Sequence, residues 1–317
     1  MDVVSMKGIS RVLVTGGAGF IGSHLVPKLL EKNYSVIVLD DLSTGKLLNL
    51  HEVSGNRDFM FQRGDIRDKL AVADAACGVD AVIHLAAVVG VPISVAEPVR
   101  THDINATGTM NVLQEASRQS VRRLVFASTA AVYGDGNPLP LKEDYVPMPV
   151  SPYAASKVAG ESMCRAYAEC YCLSTVSLRF FNIYGPRSEN NPYTGVVAKF
   201  LSNALRRQIL TVFGDGEQTR DFIYVEDVVE AIILALERKR MKGDVFNICS
   251  GEPTSINELV KILKKVTGKE TRIANAPKRK GDIKHSYGDP SKAEQALGFK
   301  ASINMENGLG RFLEALK

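Results

Sequence analysis

The chain has 317 residues, 45% hydrophobic and 23% charged, with a formal net charge of +4. That composition is globular, and the length accommodates one large domain plus a smaller lobe. No apolar run is long enough to span a bilayer, and the mild, scattered positive charge suits an anionic small molecule rather than nucleic acid.

In chain order, the start MDVVSMKGISR lacks the apolar core of a signal peptide, so a cytoplasmic location is expected. RVLVT then reads as a strand and HLVPKLLEK as a helix, with four glycines (16, 17, 19 and 22) at the turn that joins them. Gly17, Gly19 and Gly22 fit G-x-G-x-x-G, and Gly16, Gly19 and Gly22 fit G-x-x-G-x-x-G. At a first strand-to-helix turn, bare backbone lets a pyrophosphate approach the helix N-terminus, whose unpaired N–H groups and dipole favour anions. The next strand, SVIVLD, ends in Asp40, an acceptor for an adenosine ribose that would repel a 2′-phosphate. NAD is therefore expected rather than NADP.

Further strands are read at AVIHLAA, RLVFAS and STVSLRF, and helices at TGTMNVLQEAS and YAASKVAGESMCRAYAE. This alternation predicts an α/β fold with a Rossmann-type doubly wound parallel sheet. In FASTAAVYG, Ser128 and Thr129 fall at a strand end, where hydroxyls face the ligand crevice of such sheets. In SPYAASK, Ser151 caps a helix opened by Pro152, which puts Tyr153 and Lys157 one turn apart on one face. A phenol with pKa about 10 is a poor base at neutral pH, and a neighbouring ammonium pulls it toward the working range. Taken alone, Y-x-x-x-K is also the pattern of a surface helix pair.

Past residue 182 the pattern changes. NIYGPRSENNPYTG reads as loop, VVAKFLSNALRRQ as helix, LTVFG as strand, FIYVEDVVEAIILALE as strand edge plus helix, and VFNIC as strand. SINELVKILKKVTG reads as a helix with a capping box of Ser255 and Glu258. Residues 1–182 plus 221–249 are expected to form the dinucleotide domain, and 183–220 plus 250–317 a smaller α/β substrate lobe. The cysteines, Cys77, Cys164, Cys170, Cys172 and Cys249, are odd in number and lack metal-ligand spacing, so neither metal nor disulfide is expected.

With the glycines, Asp40, Thr129, Tyr153 and Lys157 in order, the chain resembles the extended short-chain dehydrogenase/reductase superfamily. Within it the likeness is to nucleotide-sugar 4-epimerases of the UDP-galactose/UDP-N-acetylglucosamine type. It runs through TGGAGFIGSH, GDIRD, HLAA, NATGTMNVL, FASTAAVYG, SPYAASK, LRFFNIYGPR, FGDGEQTRDFIYVEDV and KRKGDI. The resemblance implies that Gly16, Gly19, Phe20, Ile21 and Gly22 hold the NAD pyrophosphate, and that Asp40, Ser43 and Gly45 surround the adenosine ribose. Asp65 and Ile66 would meet the adenine. Leu85, Ala86, Ala87, Asn105 and Ser128 would line the cofactor path, and Tyr153 and Lys157 would contact the nicotinamide ribose region. Asn182, Thr211, Phe213, Arg220, Arg279, Asp282 and Ser286 would hold a UDP-sugar, with the two arginines on the diphosphate.

The resemblance also bears on the reaction. Dehydratases of this superfamily carry Asp-Glu after the catalytic hydroxyl, where this chain has Ala130 and Ala131. Decarboxylating relatives carry glutamate where Ala131 sits, and glucuronate 4-epimerases commonly have threonine in place of Asn182. The expected function is thus interconversion of UDP-glucose and UDP-galactose with Thr129, Tyr153 and Lys157 as catalytic residues. The small Ser286, and Val89 where hexose-only enzymes often have lysine, extend it to UDP-GlcNAc and UDP-GalNAc. The alternatives are a 4,6-dehydratase or decarboxylase on the same fold, a dehydrogenase that releases NADH, and a non-catalytic NAD-binding regulator. A homodimer through TGTMNVLQEAS and the Tyr153 helix is expected by likeness.

Overall fold

Short β-branched runs bounded by glycine and acidic residues become strands, and the amphipathic segments between them become helices. The computed structural model of the chain describes residues 8–188, 195–239, 241–278 and 283–316. The elements begin β1 (Arg11–Thr15), α1 (Phe20–Glu31), β2 (Ser35–Asp40), β3 (Phe59–Arg63), α2 (Lys69–Ala76), β4 (Ala81–His84), α3 (Val91–Ala96) and α4 (Pro98–His102). There follow α5 (Gly108–Arg118), β5 (Arg123–Thr129), α6 (Pro152–Tyr171), β6 (Ser174–Phe180), β7 (Asn182–Tyr184), α7 (Val196–Leu205), β8 (Leu210–Phe213) and β9 (Thr219–Tyr224). The chain closes with α8 (Val225–Glu237), β10 (Asp244–Ile248), β11 (Pro253–Ser255), α9 (Ile256–Thr267), β12 (Ile273–Ala276), β13 (His285–Ser286), α10 (Ser291–Leu297) and α11 (Met305–Ala315).

Seven strands form one sheet in the order β10-β6-β5-β4-β1-β2-β3. The pairs β1–β2, β2–β3, β1–β4 and β4–β5 are parallel. Strand order reverses between β1 and β4, the switch point where ligands bind doubly wound sheets. Strands covered on both faces read as continuous apolar runs, as Val12–Val14 and Leu124–Phe126 do at near-zero exposure. Leu13, Leu39, Val82, Leu113 and Leu124 share one core cluster.

The described residues group into two compact units. The first takes the described residues within Met1–Ser128, Pro149–Leu178 and Ile232–Val245; the second takes those within Thr129–Met148, Arg179–Ala231 and Phe246–Lys317. The second unit thus includes the stretch 129–148, which the chain-order reading kept with 1–182. Of the segment 221–249, β10 joins the seven-stranded sheet, whereas β9 pairs with β7, β11 and β13 in a separate sheet. Strand β8 pairs with β12 in a two-stranded parallel ribbon.

Several expectations are refined. Helix α7 stops at Leu205, ahead of the expected RRQ and before the left-handed Arg207. Cys172 lies just beyond α6 as its left-handed cap. The capping box at Ser255 and Glu258 is present. All five cysteines are free, and no helix among the described residues is long and apolar enough to cross a membrane.

Candidate active site

The glycine turn follows β1. Gly16 has φ +72°, a left-handed conformation that favours glycine, and a Cβ there would lie 2.6 Å from the Ala86 nitrogen. A Cβ on Gly22 would lie 2.5 Å from the Gly17 backbone, so α1 rests directly on the turn. Gly19 is the N-cap; it offers no side-chain cap, and the first turn carries no acidic residue. The amides of Phe20, Ile21 and Gly22 have no acceptor inside the helix, and the Phe20 and Ile21 side chains are only partly buried. This donor set fits a pyrophosphate.

Asp40 ends β2 with 7% of its surface exposed. Its Oδ2 accepts from Ala18 N–H at 2.9 Å and its Oδ1 from Leu42 N–H at 2.8 Å. Burial pushes its carboxyl pKa up, and those two backbone bonds pull it back. Gly45 packs against it: a Cβ there would meet Asp40 Oδ1 at 3.0 Å. Ser43 is exposed, and its hydroxyl donates to Asp41 rather than to Asp40. After β3, Asp65 is gripped by Arg67, whose hydrogen bonds hold the carboxyl below its ordinary range. Ile66 is buried, within 2.6 Å of where a Gly108 side chain would stand.

Leu85, Ala86 and Ala87 follow β4 and are half-buried; Leu85 N–H donates to the Thr15 carbonyl at 3.0 Å. Asn105 lies in a π-helical turn, Asp103–Thr107, a deviation common at functional sites. Its side chain bonds both backbone groups of Val88 and donates to Ser156 Oγ at 3.0 Å on α6. It therefore ties the stretch after β4 to the helix that carries Tyr153.

Ser151 caps α6 through Ala154 N–H, Pro152 opens it, and Tyr153 is 9% exposed. Lys157, one turn on and 3% exposed, donates from Nζ to the Ala127 carbonyl at 2.8 Å and stands 4.9 Å over the Phe126 ring. Burial pulls its pKa down to about 8. Ser128 is brought to the same helix but turned inward: its hydroxyl donates to Glu161 at 2.5 Å, so it does not offer that proton to a ligand. Thr129 begins the second unit as N-cap of a short turn, with Oγ1 accepting from Ala131 N–H at 3.2 Å.

In the second unit, Arg220 lies on β9 and is paired in register with Ser286 on β13. Arg220 Nη1 donates to the Thr219 carbonyl at 2.8 Å. Asn182 is exposed at the start of β7, beside Phe222 of β9. Thr211 and Phe213 share the less buried face of β8, opposite the buried Leu210 and Val212. Arg279 and Asp282 lie outside the described residues. Among the described residues, no group of three His, Cys, Asp or Glu side chains is placed to hold a metal ion.

Three polar residues at these places are absent from the residues expected from sequence. His84 sits in HLAA, 1% exposed, with Nδ1 2.6 Å from Thr15 Oγ1 and Nε2 2.9 Å from Thr109 Oγ1. Thr109 spends its proton on the Asn105 carbonyl, so His84 donates from Nε2 and accepts at Nδ1. Burial, with the nearby Lys157 charge, pulls its pKa to about 3, so the ring is neutral. Glu161 lies one turn past Lys157. Asp221, fully buried beside Arg220, accepts from the amides of Ser250, Gly251 and Gly288 and from the Ser250 hydroxyl. The spacing K-x-x-x-E and the acid inside QTRDF were the available signals.

Residues 12–249 match the NAD dependent epimerase/dehydratase family. A putative UDP-glucose 4-epimerase of Methanocaldococcus jannaschii is 41% identical, over 96% of this chain and 98% of that protein. Among solved structures, the Thermotoga maritima UDP-glucose 4-epimerase with UDP-glucose matches at TM-score 0.91 and 40% identity, covering 96% of this chain and 98% of that one. The Thermus thermophilus UDP-glucose 4-epimerase with NAD matches at 0.88 and 38%, with the same coverage. A UDP-N-acetylglucosamine 4-epimerase of Methanobrevibacter ruminantium, in complex with UDP-N-acetylmuramic acid, matches at 0.92 and 36%, covering 97% and 98%.

Proposed function

The chain belongs to the NAD-dependent epimerase/dehydratase family and is an NAD-using enzyme of the UDP-sugar epimerase kind; from that premise we propose that it interconverts UDP-glucose and UDP-galactose, and also UDP-GlcNAc and UDP-GalNAc, through a 4-keto intermediate. NAD, when bound, supplies the acceptor and later the donor of the sugar C4 hydride. The chain's own residues do the rest. Tyr153 accepts the O4 proton as the C4–H bond breaks, and Lys157 stabilises the phenolate that makes this possible. Thr129 hydrogen-bonds the same sugar oxygen. Arg220 and Arg279 hold the diphosphate in forked contacts while the keto sugar turns over. Return of the proton from Tyr153 to O4 completes the inverted alcohol, so nothing is consumed.

The observation that carries this reading is the buried Lys157 one turn from Tyr153, its amine fixed on the Ala127 carbonyl. A surface helix pair would leave that amine in water. Ala130 and Ala131, directly after Thr129, offer no carboxyl to expel water or assist loss of carbon dioxide, which favours plain epimerisation over dehydration or decarboxylation. The small Ser286, paired with Arg220, supports room for an N-acetyl group. We place the protein in the cytoplasm as a homodimer through α5 and α6. Tyr153→Phe tests the assignment: it is expected to keep NAD and lose turnover at least about 10²-fold, and near-wild-type turnover refutes it.

A further inference from the structure

Three successive residues of β5 meet α6, and each meeting has its own chemistry. Gly160 has no side chain, and a Cβ there would collide with Phe126 Cζ, so the helix lies closer to the strand than any larger residue allows. Lys157 then reaches the Ala127 carbonyl at 2.8 Å. One turn further, Glu161, 7% exposed, accepts from the hydroxyl of the 3% exposed Ser128 at 2.5 Å. Thr129 is the next residue. Carboxylates are rarely buried without a task, because leaving water costs them their hydration. The epimerisation chemistry assigned to Tyr153, Lys157 and Thr129 does not use this one.

We propose that Glu161 is a positioning residue that pins Ser128 of β5 to the helix bearing Tyr153, and that its negative charge keeps Lys157 an ammonium. The proposal rests on the reading of Tyr153 and Lys157 as the catalytic pair. The charges around Lys157 support it. Burial lowers the Lys157 pKa, opposed by Cys164 and Glu161. Burial pushes Cys164 itself up to about 12, so near neutral pH it is a thiol, and the anion acting on Lys157 is Glu161. On β4, His84 is neutral. Elements α3, α4 and α5 also pack on α6. Helix α3 carries no charge; Arg100 on α4 pairs with Glu97, Arg118 on α5 pairs with Glu115, Asp103 pairs with Arg67, and His102 is exposed.

The test is the pH profile of kcat and kcat/KM for UDP-glucose in purified wild-type, Glu161→Gln, Ser128→Ala and Tyr153→Phe holoenzymes. Glutamine keeps an acceptor for Ser128 and removes only the charge. Its alkaline limb is expected to move to lower pH by about one unit, with KM within about twofold, since Glu161 is not among the residues assigned to the UDP-sugar. Ser128→Ala removes the pin and keeps the charge; kcat is expected to fall about fivefold without movement of the limb. A Glu161→Gln limb that superimposes on wild type overturns the proposal while Tyr153→Phe remains inactive. Turnover by Tyr153→Phe instead overturns the catalytic reading beneath it. Should Glu161→Gln not yield folded holoenzyme, Ser128→Ala decides, and unchanged kcat there contradicts the pin.

Discussion

Lys157 donates to the Ala127 carbonyl at 2.8 Å, which fixes the amine of α6 on the β5 carbonyl directly before Ser128. The amine is almost fully buried, and burial brings its pKa to about 8. Below that pH it is an ammonium and can stabilise a phenolate; above it the charge is gone. Turnover should therefore fall as pH rises through about 8. Lys157→Met is expected to reduce kcat at least about 10²-fold, and Lys157→Arg should not restore it, because a planar guanidinium does not reproduce the compact amine held on the Ala127 carbonyl. Steady-state kinetics with UDP-glucose checks both.

His84 predicts how stability depends on acid. Its folded pKa is about 3, against 6.5 for the free side chain. The unfolded chain thus binds more protons between those values, and stability falls as pH drops below 6.5. At pH 5, one and a half units below, the loss is about 2 kcal/mol. His84→Gln retains an acceptor and a donor without the titration. Urea unfolding of both proteins at pH 7 and pH 5 should show the gap between them shift by that amount in favour of the variant; a pH-independent gap contradicts it.

The glycine turn predicts a loss of cofactor. A methyl at Gly22 would collide with the Gly17 backbone at 2.5 Å, and neither partner is a side chain that can swing away. Gly22→Ala should cost about 1–3 kcal/mol of stability through overpacking and weaken NAD retention at least about tenfold, since the first-turn amides move with the helix. The NAD released on denaturing the purified protein measures the second effect.

Asp221 predicts a defect confined to nucleotide binding. Its carboxylate ties the 250–251 loop and Gly288 to the strand bearing Arg220. Asp221→Asn turns one acceptor oxygen into a donor facing amide donors, a loss of about 1–3 kcal/mol. KM for UDP-glucose should rise at least about tenfold while bound NAD is unchanged; a fall in NAD content with unaltered KM would contradict the assignment.

The elements that were legible from sequence are those set by local chemistry. The turn at Gly16, the capped start of α6 at Ser151 and the capping box at Ser255 are dictated by backbone donors that need partners, and spacing alone reveals them. The sheet strands were legible because two-sided burial leaves uniform apolar runs. Strand β3 was not: its exposed edge gives FMFQR a mixed pattern. The π-helical turn at Asn105 and the left-handed Arg207 that stops α7 carry no local signature. Ser128 shows the limit for site residues. Its position at a strand end was legible, but the direction of its hydroxyl depends on Glu161, which lies 33 residues away in sequence.

The most direct measurement is the proton NMR spectrum, with product mass, of UDP-glucose incubated with the purified protein and no added cofactor. The account predicts that UDP-galactose signals grow to an equilibrium mixture at unchanged mass, and that UDP-GlcNAc converts likewise. A product lighter by water or by carbon dioxide, net accumulation of NADH, or no conversion by a protein that retains NAD would contradict it.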